Sequence, residues 1–165
     1  MKQLVLVRHA KAVPYGYEED FNRELTARGM EDAGKVSHHL REQGVVPRLI
    51  ISSPAVRALQ TAVVFAGTFG IPMEEIRKEH NLYHGYTTGD FLKVLRTTPD
   101  EEDVVYVFGH NPNFENYAWN ICRSFSGALP TCSAVVIELP IASWAQLEAR
   151  TGTLVMQVNP KELPL

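Results

Sequence analysis

Cysteine is scarce in this chain. Cys122 and Cys132 are its two, they form no C-x-x-C pattern, and they read as reduced, structural thiols, a disulfide being the less favoured use of so sparse a pair. Long apolar runs are missing as well: no stretch approaches the roughly 18 residues that a membrane span needs. No signal-peptide pattern precedes the first strand-like segment, so no membrane association is expected and the expected location is cytoplasmic. Excess positive charge is also absent, the formal net charge being −3. That argues against generic nucleic-acid binding, which needs a basic surface, but leaves room for a local basic pocket. Internal repeats and low-complexity segments are lacking. What is there is a globular composition, 45% hydrophobic and 21% charged, over 165 residues. This is enough for one domain spanning 1–165, with a core that requires neither metal nor disulfide staples.

The segment around which the chain is organised is Lys2 to Val7 followed by Arg8-His9-Ala10. Its Val- and Leu-rich run predicts a strand buried on both faces, and in an open parallel sheet the carboxyl end of such a strand borders the ligand crevice. Residues 11 to 25 form a polar loop with Pro14, Gly16 and an acidic patch at Glu18, Glu19 and Asp20. Thr26 predicts an N-cap for a helix to about Gln43, with Ala33, Val36 and Leu40 inward and Gly44 as the stop. His38 and His39, being adjacent, face different sides of that helix and make a poor metal pair. A second strand at Pro47 to Ile51 leads to a helix with Ser53 as N-cap and Pro54 in its first position, running to about Phe69. Arg57 then lies in the first turn, where a cation opposes the helix dipole, so an anion nearby is expected to offset it.

Ile76, Leu82 and Tyr83 suggest a short edge strand. His80 and His84 have the spacing of helical metal ligands, but the acidic residue of H-E-x-x-H is missing and the segment does not read as a helix, so no metal site is expected. Asp90 to Arg96 predicts a short helix, Asp103 to Phe108 a third buried strand ending in Gly109-His110-Asn111-Pro112, and Asn113 to Phe125 a helix capped by Asn111 or Asn113. Ser133–Leu139 and Thr153–Val158 are the last strands, as a terminal hairpin or as edge strands around the Trp144 connection. Alternating strands and helices predict an α/β fold, a three-layer α/β/α sandwich on a mainly parallel sheet.

Arg8, His9, Arg57 and His110 thus fall at three strand-to-helix junctions. If those strands are neighbours, two guanidiniums and two imidazoles converge on one crevice, suited to phosphoryl oxygens, although a carboxylate ligand also fits. Neighbouring guanidiniums keep an imidazole neutral and therefore nucleophilic toward phosphorus. The expected reaction is attack by His9 on a phosphoryl group, with Arg8, Arg57 and a protonated His110 stabilising the equatorial oxygens, the arginines filling the role of a metal ion.

These residues are recognisable. Arg8-His9-Ala10 resembles the Arg-His-Gly signature of the histidine phosphatase superfamily, the phosphoglycerate mutase-like fold. Ser52-Ser53-Pro54-x-x-Arg57-Ala58-x-Gln60-Thr61 and Gly109-His110-Asn111-Pro112 resemble its second-arginine and second-histidine motifs. The stretch Arg23-x-Leu25-Thr26-x-x-Gly29 and the short length are most similar to phosphohistidine phosphatases of the SixA type. The resemblance implies His9 as the phosphorylated nucleophile, Arg8, Arg57 and His110 as the phosphate pocket, Arg23 as a further phosphate contact from the loop, and no cofactor. Ala10 in place of Gly requires a negative φ there.

Larger members of the superfamily use a glutamate as general acid, for which Glu79, His84 and Asp90 are the candidates here. A protonated phosphohistidine leaves as neutral imidazole and needs little acid help, whereas an alkoxide needs a proton. The leading expectation is therefore a metal-independent phosphatase acting on protein phosphohistidine. Hydrolysis of a small phosphate ester is the alternative within the enzyme class, and a non-catalytic phosphate-binding adaptor the alternative outside it. A mutase is disfavoured because the chain is too short to enclose a phosphorylated intermediate.

Overall fold

The computed structural model describes residues 1–14, 16, 19–125 and 127–164. Glu18 of the expected acidic patch lies outside them. Among the described residues six strands form one sheet: β1 (Lys2–Arg8), β2 (Leu49–Ser52), β3 (Arg77–Lys78), β4 (Val104–Gly109), β5 (Ala134–Leu139) and β6 (Thr153–Val158), in the order β3-β2-β4-β1-β5-β6. The first four in that row run parallel, while β5 is antiparallel to both β1 and β6. Helices α1 (Ala27–Glu42) and α2 (Val56–Phe69) cover one face, and α4 (Thr88–Arg96) and α5 (Asn113–Ile121) the other, with the short α3 (Asn81–His84) beside them.

Burial explains the central place of β1. Leu4 and Leu6 enter the core beneath α4 and α5, Val5 and Val7 the core beneath α1 and α2, and none of the four is exposed to solvent. A strand apolar on both sides is stable only between two layers of helix, and its neighbours β4 and β5 are apolar in the same way. Both cysteines are free and buried in this core, where burial pushes the Cys132 thiol pKa up.

Local chemistry accounts for most element boundaries and for the departures from expectation. The Thr26 hydroxyl caps α1 by accepting from the Gly29 amide at 3.0 Å, and Gly70, left-handed at φ 73°, closes α2. His38 is exposed and His39 half-buried. Helix α2, however, starts at Val56 with Ala55 as N-cap rather than at Ser53 and Pro54, although the Ser53 hydroxyl, which pairs with His110, also accepts the Ala55 amide at 3.2 Å. Neither asparagine caps α5, whose N-cap is Pro112; the Asn111 amide donates instead to Glu115 Oε1 at 3.1 Å and Leu129 O at 2.9 Å. That helix also stops at Ile121, since Cys122 peels away to bridge Gly152. The edge strand is two residues long, and Leu82, Tyr83 and His84 belong to a single helical turn that period-two reasoning excluded.

The long loop is closed at its base by the bridge between Ala12 and Leu25 and carries a 3-10 turn over Asp20–Asn22. Beside it, Gly29 admits the Lys11 carbonyl so closely that a Cβ would sit 2.2 Å from its oxygen, which is the physical reason for glycine there. Strand β5 lies inside the sheet and β6 at its edge, the connection between them pinned where the buried Trp144 indole donates to Glu102 O at 2.6 Å. No helix among the described residues is long and apolar enough to cross a membrane.

Candidate active site

The sheet order makes β2, β4 and β1 consecutive and parallel, so their carboxyl ends open on one edge. The ladder continues one step beyond each strand: the His9 amide donates to Gly109 O and the Ser53 amide to Phe108 O, both at 2.9 Å. His9, His110 and Ser53 are thereby lined up across three strand ends. The two imidazoles face each other with ring centroids 5.3 Å apart, and both residues are more than nine-tenths buried.

The hydrogen bonds assign the rings. His9 Nδ1 lies 2.7 Å from the Ala10 carbonyl oxygen, which can only accept, so Nδ1 carries the proton and Nε2 keeps its lone pair. His110 Nε2 pairs with Ser53 Oγ at 2.8 Å, and its Nδ1 is buried without a partner among the described residues. Burial first, then the charges of Arg57, Arg8 and Arg23, lower the His9 pKa to about 4, against the raising effect of its bond to Ala10. Burial, His9 and Arg57 together lower that of His110 to about 3. In the free protein the His110 ring is therefore neutral at neutral pH.

Arg8, at the end of β1, donates from Nη1 to Leu129 O at 3.1 Å, and Glu115 supports it at a distance by holding the Leu129 amide at 2.8 Å. Arg57, in the first turn of α2, is 6% exposed; its Nη1 donates to Asp20 O at 2.7 Å and its Nη2 to Asp20 Oδ2 at 3.2 Å. Arg23 reaches the same carboxylate, with Nε 3.0 Å from Oδ1 and Nη2 2.9 Å from Oδ1. The Tyr83 hydroxyl donates to Oδ2 at 2.8 Å, and its ring stands edge-on to His110 at 5.7 Å. The Nε atoms of Arg8 and Arg57 are buried without partners among the described residues.

All five residues that the sequence assigns to the phosphate pocket thus meet at the carboxyl ends of these strands, whereas Glu79 and Asp90 are paired elsewhere and His84 touches the site only through Tyr83. Glu79 binds the Tyr86 hydroxyl at 3.0 Å and pairs with Arg77, Asp90 pairs with Lys93 on α4, and the His84 ring packs on His80 and Tyr83. Among the described residues no group of three potential metal ligands comes together. Ala10 has the negative φ its place requires, since Cys132 and Arg150 are the non-glycine residues with positive φ among those described.

Ser53, Asp20, Tyr83 and Glu115 were not singled out as site residues by the sequence. Ser53 stood inside a recognised motif, and Asp20 inside the noted acidic patch; Tyr83 and Glu115 carry no comparable signal.

Comparison with known proteins agrees with this geometry. The profile of the histidine phosphatase superfamily (branch 1) matches residues 4–110. An uncharacterised chloroplastic protein of Arabidopsis thaliana is 28% identical over 163 residues, covering 92% of this chain and 72% of the relative. Among solved structures, a provisionally assigned phosphohistidine phosphatase SixA from Nakamurella multipartitia is 25% identical, with 96% of each chain covered and a TM-score of 0.81. The protein histidine phosphatase SixA complexed with tungstate superposes with a TM-score of 0.83 at 21% identity, over 96% of this chain and 97% of the other, a likeness of fold. Because the profile takes in the greater part of the chain and the fold is shared along nearly all of it, this protein belongs to branch 1 of the histidine phosphatase superfamily and is a phosphatase.

Proposed function

We propose that the chain hydrolyses phosphohistidine on proteins, without a metal ion, through a phosphohistidine formed on His9. The observation that carries this reading is the His9 ring itself, its Nδ1 proton given to Ala10 O and its Nε2 lone pair kept by a strongly lowered pKa. In the first step Nε2 bonds to phosphorus while the phosphorus–nitrogen bond of the substrate breaks; the leaving imidazole keeps the electron pair and, already protonated on its other nitrogen, departs neutral. Water then attacks phosphorus, the bond to Nε2 breaks, and inorganic phosphate is released. Arg8 and Arg57 carry charge on the equatorial oxygens, which is the role a metal ion would otherwise fill. His110 accepts a proton once the dianion is bound and becomes a third donor.

The engagement of Glu79 and Asp90 with other side chains favours a leaving group that needs no proton, and the provisional assignment of the Nakamurella neighbour supports the same substrate class. Trapping tests the reading. After incubation with a phosphoramidate donor and an alkaline quench, phosphate is expected on His9, labile to acid. His9→Ala should abolish turnover while leaving orthophosphate binding largely in place, and Arg57→Ala should weaken both. Label on another residue, or turnover by His9→Ala, would overturn the proposal. Faster reaction with alkyl phosphates than with phosphoramidates would favour the small-ester alternative.

A further inference from the structure

The pocket that should receive a phosphoryl group already receives an anion from the chain. Both terminal nitrogens of Arg57 are taken by Asp20, one by its carbonyl and one by its carboxylate, and the same carboxylate takes Nε and Nη2 of Arg23 and the hydroxyl of Tyr83. To a guanidinium fork, a carboxylate and a phosphoryl group present equivalent pairs of oxygens. The misplaced cation in the first turn of α2 is thus offset from within, by a residue 37 positions away on a loop.

We infer that Asp20 is a tethered competitor for the phosphoryl group, a specificity device that sets how firmly an anion must be held before it can enter. The inference rests on the phosphatase reading of this pocket and adds a term to it. A phosphoryl group reaches Arg57 and Arg23 by displacing the carboxylate, and the apparent dissociation constant rises in proportion as the open state is rare. Orthophosphate brings no contact beyond its own oxygens and so competes least well. A phosphorylated side chain on a folded partner bears the same factor but starts from tighter binding through its additional contacts, and so stays bound where orthophosphate does not.

The position of Asp20 suits displacement. Its side chain is about one-third exposed, in contrast to Arg57, so it can swing outward while the arginine stays fixed. It sits on the 3-10 turn Asp20–Asn22, above the bridge between Ala12 and Leu25 that closes the loop, so the turn can shift without loosening α1. A residue whose purpose was to orient Arg57 would be expected to contact it away from the oxygen-binding nitrogens. Here Asp20 occupies both of those, and Arg57 Nε has no partner among the described residues.

Orthophosphate binding to the intact protein, measured by calorimetry at fixed pH and salt, separates the possibilities. Asp20→Asn is expected to bind orthophosphate about tenfold more tightly than the parent, if the carboxylate closes the pocket about nine-tenths of the time. Asp20→Ala, which removes the side-chain acceptor altogether, should tighten binding at least as much, and covers the case in which the asparagine amide still holds the arginines. Unchanged or weaker binding in both folded variants overturns the inference and makes Asp20 a positioning residue, with the phosphatase reading intact. Failure of the parent and both variants to bind orthophosphate at all overturns this inference and the pocket together.

Discussion

Two imidazoles 5.3 Å apart, enclosed with guanidinium groups, leave little room for a further positive charge, and that single constraint shapes the chemistry of His9. Its lowered pKa keeps the proposed nucleophile unprotonated over the whole neutral range, and His110, lowered further, is neutral there as well. The value of kcat/KM reports ionisations of the free enzyme. Corrected for ionisation of the substrate, it should therefore rise as pH falls from about 8 toward about 5, because His110 takes up a proton when the dianion binds, and then fall on the acid side around the His9 pKa of about 4. An acid limb near the ordinary histidine value of 6.5 would mean that His9 is not shielded as described. Ser53 belongs to the same argument. By donating to His110 Nε2 its hydroxyl would leave the proton on Nδ1, the buried atom with no partner among the described residues. No feature of the sequence distinguishes that serine from the helix cap it resembles, because a hydroxyl before proline serves either purpose.

At the scale of elements, the site depends on how α2 is fastened to the end of β1. Thr61 does this with one hydroxyl, accepting from the Ala10 amide at 3.0 Å and donating to Arg57 O at 2.8 Å. The residue before it, Gln60, accepts the Leu25 amide on Oε1 at 2.8 Å and ties the loop to the same helix. Thr61→Val keeps the shape and leaves the Ala10 amide buried without an acceptor, so it should cost about 1–3 kcal/mol in denaturant unfolding. Turnover should fall with it, because His9 is held through Ala10. An unchanged midpoint would show that water or a small shift replaces the bond.

The same elements show why some of the fold could be read and some could not. Strands β1, β2 and β4 and the motif residues after them announce themselves locally, by apolar runs that end in Arg, His or Ser, and their parallel order follows from the helices between them. Asp20 and Tyr83 belong to the site through contacts spanning 37 and 63 positions, and a polar loop has no period that would reveal them. Residues 81–84 form a helical turn that the pattern does not show, because four residues are too few for a helical period to rise above an edge-strand one.

For the molecule as a whole, neutrality of the two histidines is a stability statement. Unfolding returns both rings to the ordinary value of 6.5, while in the folded protein they titrate at about 4 and about 3. Between those limits the unfolded chain binds protons that the folded chain refuses, so stability rises with pH across that window and is lost as pH falls below about 6.5. Carboxylates with lowered values, such as Asp20, add their loss further down, around and below the ordinary 3.8, so the interval from 6.5 to about 4 reports mainly on the imidazoles. The melting temperature should accordingly drop from pH 7 to about pH 4.5, and less steeply in His9→Ala, where one of the two refused protons is gone. Tungstate, a tetrahedral dianion, should restore the acid-side loss most strongly in the parent protein, because its charge lets His110 take up the proton that burial had excluded. A melting temperature flat over that window would contradict the burial and charge assigned to both rings. A tungstate effect independent of pH would contradict the coupling of His110 protonation to anion binding.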